Sequence, residues 1–95
     1  MSISAPINRI TVLTTTPATI VARPRKGRIR LTVRNSDAAN RIERVRTADS
    51  TRGLAIGAGA ERTYMKVDGD NTEGAFYFIA FTASVVVEVE EEIAA

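Results

Sequence analysis

The chain has no cysteine, histidine or tryptophan. Their absence removes disulfides, thiol nucleophiles, Cys/His zinc sites and imidazole acid–base chemistry together. Without cysteine the composition carries no mark of redox compartment either. Long apolar runs are also missing: the longest, Ala75 to Phe81, has seven residues, against the roughly 20 that a membrane-spanning helix needs. Met1-Ser-Ile-Ser-Ala-Pro6 has no basic stretch leading into an apolar one, so no signal peptide is expected. Leucine occurs only three times, whereas valine, isoleucine and threonine fill 29 of the 95 positions. That bias favours strands, and a chain this short has room for one small core.

Period-two alternation recurs between turn residues. It is clearest in Arg28 to Arg34, where Ile29, Leu31 and Val33 point one way and Arg28, Arg30, Thr32 and Arg34 the other. Asn35-Ser-Asp37 ends that strand with side chains suited to bonding their own backbone. Arg9 to Thr14 and Thr19 to Ala22 read as two short strands, and Arg23-Pro-Arg-Lys-Gly27 as the turn that follows them. In Arg41 to Arg46 the apolar residues fall three apart, which suggests a bulged or edge strand. Gly53 to Ile56, Arg62 to Val67, Ala75 to Phe81 and Ser84 to Glu90 complete the set, with Val85, Val87 and Val89 inward and Glu88 and Glu90 outward. About eight short strands predict an all-β fold, a single antiparallel β-sandwich of Greek-key or jelly-roll type. Residues 1–8 are expected to form an N-terminal arm, 9–90 the sandwich and 91–95 an acidic tail left in solvent.

Charge is unevenly spread. All 13 basic residues lie between Arg9 and Lys66 with only four acids, a net +9, and residues 67–95 hold seven acids and no base, a net −7. Arg23, Arg25, Lys26, Arg28, Arg30 and Arg34 place six cations in twelve residues without an acid, enough for a local positive field. No aromatic side chain interleaves them for base stacking, so nucleic acid is a weaker reading than two others. One is a ladder pairing Arg28, Arg30 and Arg34 with Glu88 and Glu90, within the fold or between subunits. The other is contact with an acidic protein surface.

The remaining patterns argue against catalysis and cofactors. Asp68-Gly-Asp-Asn-Thr-Glu73 has spaced carboxylates but Glu73 and Ile79 where a calcium loop needs glycine and glutamate, so it reads as a turn and no metal is expected. Gly57-Ala-Gly-Ala lacks the third glycine and the helix of a dinucleotide site, Arg25-Lys-Gly27 lacks the glycine spacing of a phosphate loop, and no motif frames a nucleophilic serine. Four of the five aromatics fall in one strand: Phe76, Phe78 and Ala80 face one way, and Tyr77, Ile79 and Phe81 the other. Core packing accounts for one face. The second must also be covered, and a neighbouring subunit is the expected cover.

The order of these features resembles the small β-sandwich virion proteins of tailed bacteriophages. It is carried by the N-terminal strand pair, the basic turn into Arg28-Ile-Arg-Leu-Thr-Val-Arg-Asn-Ser36, the loop Gly57 to Gly59, Gly74-Ala-Phe-Tyr-Phe-Ile-Ala80 and the final Val85-Val-Val-Glu-Val-Glu90. Arg41 to Arg52 departs from the pattern, being more charged than the short apolar strand expected there. The resemblance implies a non-enzymatic head decoration or minor capsid protein, without cofactor, located in the virion and assembled in the host cytoplasm. Its partners would be itself, as a homo-oligomer with a trimer the first expectation, and the major capsid or another virion protein. Contact residues on this reading are Ile3, Ile7, Arg23, Arg25, Lys26, Arg28, Arg30, Arg34, Phe76 and Phe78, with the arm docking through Ile3 and Ile7. The alternative class is a small β-barrel that binds nucleic acid or a surface receptor.

Overall fold

Alternation decides where the strands lie. Leu31 and Val33 are fully buried while Arg34 is exposed, and Val85, Val87 and Val89 are buried while Val86 is open to solvent. The computed structural model describes residues 2–4, 7–14 and 17–94. It contains β1 (Ser2–Ser4), β2 (Asn8–Val12), β3 (Thr19–Ala22), β4 (Arg28–Asn35), β5 (Ile42–Val45), β6 (Leu54–Ile56), β7 (Glu61–Met65), β8 (Phe76–Ala80) and β9 (Val85–Ala94), with a 3-10 turn at Lys66–Asp68. β1 and β2 pair with one edge of β9, and β4 then β7 continue that five-stranded sheet on its other side. The second sheet has the order β3-β8-β5-β6, and every pairing is antiparallel. The pairs are nested: β2 with β9, β3 with β8, β4 with β7, and β5 with β6, alternate pairs falling in alternate sheets. The inward side chains of both sheets meet in one core that includes Val12, Leu31, Val33, Val85 and Val87 from the first and Ile42, Ile56, Phe76 and Phe78 from the second. The chain is thus an antiparallel β-sandwich.

The apolar spacing of three in β5 has a structural cause. Ile42 points into the core, whereas Val45 points outward and packs with Ile79 and Ala18 in a second cluster. Arg44 takes the inward position between them, its guanidinium carbon 4.2 Å from the Phe76 ring centroid and 4.6 Å from that of Tyr64. β5 is therefore an internal strand between β8 and β6, not an edge.

The second apolar face of β8 is covered by the chain itself. Ile79 and Val45 point away from the main core yet are 5% and 2% exposed. The β5–β6 loop folds back across this face, tied to the start of β3 by the Ala18 N–H donating to Ala48 O at 2.8 Å. Buried Glu43 anchors the loop: its carboxylate accepts from the Gly53 N–H at 2.8 Å and from Arg52 Nε and Nη2 at 3.1 and 3.2 Å. A Cβ on residue 53 would sit 1.7 Å from the Arg44 carbonyl oxygen, so only glycine fits there. Arg41 and Arg52 lie over the Phe81 ring at 4.6 and 5.5 Å. Phe76 and Phe78 are 0% exposed in the main core. Their expected role as contact residues is corrected accordingly.

Both ends differ from expectation. β9 runs past Glu90 to Ala94, so Glu91 to Ala94 belong to the sheet and not to a solvated tail; Ala95 lies outside the described residues. Ser2–Ser4 is a strand paired with Glu92–Ala94 and not a free arm, and the side chain of Ile3 is outside what is described. The extension is possible because Arg25, Arg28 and Arg30 stand opposite its carboxylates.

Burial alone would raise the Glu43 carboxyl above its ordinary value of 4.5, but the Gly53 N–H, Arg52 and Arg41 outweigh it and hold the pKa below that value. A depressed folded-state pKa contributes stability that is present above the unfolded value and is lost as pH falls from 4.5 through the folded one. Glu43→Gln should cost about 2 kcal/mol at pH 7 by urea denaturation, the worth of a charged hydrogen-bond set, and the gap to the parent should shrink by pH 3. A gap unchanged across that range would contradict this role.

Candidate functional site

Three loops gather at the end of the sandwich where β3, β5 and β7 finish: 23–27, 46–53 and 66–75. The first holds Arg23, Arg25 and Lys26, half of the expected basic patch, and Gly27 allows its tight turn with φ +86°. Arg28, the first residue of β4, was expected on the outer face. A register shift between Arg28 and Arg30 against β9 turns it inward instead, to 1% exposure. The same shift places Ile29, expected inward, beside Met65 and Val67 in a shallow depression.

Inside, the Arg28 guanidinium joins separate parts of the chain. Nη1 donates to Thr72 O and Gly74 O at 3.0 and 3.2 Å, Nη2 donates to Arg23 O at 2.6 Å, and Nη2 lies 3.0 Å from Glu91 Oε1. Thr72 Oγ1 returns a bond to Arg28 O at 2.5 Å, and the Gly27 N–H donates to Glu73 Oε2, also at 2.5 Å. Asp70 accepts from the Met65 N–H at 2.9 Å. The Asp70 and Glu73 carboxylates of the 68–74 turn thus serve backbone donors.

The other cations of the run separate. Arg30 pairs with Glu90 at 2.9 Å and with Glu92 at 3.4 Å on the outer face of the five-stranded sheet. Arg34 stands opposite Glu88 and Glu61 in the strand registers, and Arg9 lies 3.7 Å from Glu88. The charge ladder therefore forms within one chain. Arg25 reaches Glu91 at 3.2 Å, and Arg23 and Lys26 stay exposed on the turn. Arg23, Arg25 and Arg28 border a cleft of about 370 Å³ with Ile10, Ile20 and Glu91. Ile7, 59% exposed, lies against the outer face beside Arg34 and Glu88. The expected contact residues accordingly divide among the interior, the outer face and one turn.

A second basic group was not expected from the sequence. Arg44, Arg46 and Arg52 line a cleft of about 810 Å³ between the 46–53 and 66–75 loops, with Ser50, Leu54 and Asn71. Beneath it in the core the Tyr64 and Phe76 ring centroids are 5.0 Å apart, with Arg44 over both. Arg28 and Arg44 lie 5.9 and 4.2 Å from the same Phe76 centroid, so their guanidinium carbons are at most about 10 Å apart. Burial pushes the Tyr64 phenol above its ordinary value, against the opposing pull of Arg44 and Arg62. The signal in the sequence was Arg44 itself, a charge at a core-facing position of β5.

The ladder sets an expected outcome for charge reversal. Replacing Glu88 and Glu90 together by lysine turns two attractions on half-exposed positions into repulsions, and should cost roughly 1–2 kcal/mol by thermal melting. A variant with the parent's melting temperature would show that the ladder contributes nothing.

No protein-family model matches the chain, and a search of curated proteins finds no match.

Proposed function

We propose that the chain is a non-enzymatic structural component of a tailed-bacteriophage particle, a head decoration protein that self-associates and sits on the capsid surface. The observation that carries the reading is the nested pairing of β2 to β9, with alternate pairs in alternate sheets. That nesting supports a jelly-roll reading of the sandwich, an architecture recurrent in viral capsid proteins as well as lectins. Of the strands that bear the phage resemblance, β4, β8 and β9 are central in their sheets, and the N-terminal pair β2 and β3 lies at sheet edges. A fold of this kind hosts several functions, so the assignment rests on the strand order and the sequence resemblance together.

Support for self-association comes from a different place than the aromatic strand. The outer face of the five-stranded sheet pairs Arg9 and Arg30 with Glu88, Glu90 and Glu92, and it exposes Ile7 at 59% and Val86 at 44%. β1 adds to the edge of β9 through only three residue pairs at the chain's start. A short terminal strand of this kind is suited to docking on a second copy.

Sedimentation velocity at micromolar concentration should show a discrete homo-oligomer, with a trimer the first expectation, unchanged by added duplex DNA. Mass spectrometry should find the protein in gradient-purified particles from cells carrying its gene. A strict monomer absent from particles overturns the reading. A monomer retained on DNA in a salt-dependent way favours the alternative, a small nucleic-acid-binding module.

A further inference from the structure

On the outer face Arg9 and Arg30 are paired and Arg34 stands between Glu61 and Glu88 in the strand registers, whereas the cations at the mouth of the β5–β6 loop are under-compensated. Among the described residues neither Arg44 nor Arg46 takes part in an ion pair, and Arg52 shares the single carboxylate of Glu43 with Arg41. The cleft they line contains no acidic side chain. Arg46 is exposed at this mouth, Arg44 approaches it from the inner face of β5 and Arg52 from the outer face where it holds Glu43, and together they set a positive field there. Arg44 is half-buried against the Tyr64 and Phe76 rings, which fixes the orientation of its planar fork of donors, and such a fork suits a carboxylate.

The same cleft adjoins an open sheet edge. β6 is the last strand of its sheet and pairs with β5 alone among the described residues. Its first residue, Leu54, lines the cleft while 64% exposed, opposite Arg44 in the strand register. An unpaired strand edge is a template for an added strand. No aromatic side chain is exposed in the lining for a base to stack on, and stacking is what single-stranded nucleic acid requires.

We infer that this cleft is a docking site for an acidic, extended segment of a partner polypeptide, which adds to the β6 edge and places its carboxylates on Arg44, Arg46 and Arg52. The inference stands on the cleft and the edge and does not require the particle reading.

The test uses the full chain and a fluorescein-labelled octapeptide of alternating Glu and Thr, with a Lys–Thr octapeptide and an oligothymidylate of 20 nucleotides as comparison probes. The acidic peptide should bind saturably at low salt, weaken as salt rises, and shift the backbone amides of residues 44–46 and 54–56 in heteronuclear NMR. Arg46→Glu, at an exposed position, should weaken binding about tenfold or more. Lys26→Glu, on the β3–β4 turn, should leave it within about twofold. Absence of saturable binding, equal weakening by both variants, or amide shifts elsewhere would overturn the inference. Tighter binding of the oligothymidylate with the same dependence on Arg46 would also overturn it, in favour of a nucleic-acid cleft.

Discussion

The Arg28 guanidinium is the interaction on which the loop end of this sandwich depends. A cation at 1% exposure is costly unless it is paired and hydrogen-bonded. Glu91 supplies the counter-charge, and the carbonyls of Arg23, Thr72 and Gly74 take its protons, although Nε finds no partner among the described residues. These partners come from three parts of the chain: the β3–β4 turn (Arg23), the β7–β8 loop (Thr72 and Gly74) and the far half of β9 (Glu91). The loops are therefore fixed relative to one another at the point where β4 begins. Arg28 and Arg44 both approach the Phe76 ring, at 5.9 and 4.2 Å from its centroid, so the same packing helps position the arginine cleft.

The strands were legible because alternation and β-branching act locally. Leu31, Val33, Val85, Val87 and Val89 are inward as their parity requires, and the Asn35–Asp37 turn forms the expected side-chain to backbone bonds. The opposition of Arg30 and Arg34 to Glu88 and Glu90 was also legible, since like charges along a strand need opposite ones beside it. Arg28 was not legible, because a one-residue register shift reverses the face of a side chain and leaves no trace in composition. The cover over Ile79 and Val45 was likewise hidden. It depends on Glu43, a charge that looks solvated in sequence and is buried only once Arg52 and Gly53 fold over it.

These two buried ion sites divide the molecule's charge. Glu43 and Glu91 draw Arg41, Arg52, Arg25 and Arg28 into fixed structure, while the outer face pairs Arg9 and Arg30 with carboxylates of β9. Much of the +9 in the first part of the chain is thereby offset by the −7 of the last part, and a basic sequence pI near 9.5 overstates the field at the surface. Among the described residues the loop end holds Arg23, Lys26, Arg44, Arg46 and Lys66 outside any ion pair. On the proposed reading the sandwich is a rigid carrier, and its loop end is the face that meets acidic partners.

A double-mutant cycle on Arg28→Met and Glu91→Leu, read by urea denaturation, tests the central claim most directly. Glu91→Leu leaves Arg28 buried without a counter-charge and should cost about 3–5 kcal/mol, whereas Arg28→Met leaves Glu91 partly buried with Arg25 as its remaining partner and should cost about 2–4 kcal/mol through the lost pair and carbonyl bonds. The double variant removes both charges together and should recover at least about 2 kcal/mol relative to the sum of the singles. Costs that add to within about 0.5 kcal/mol would show that the two side chains act independently, and that the loop end is held by something other than this ion pair.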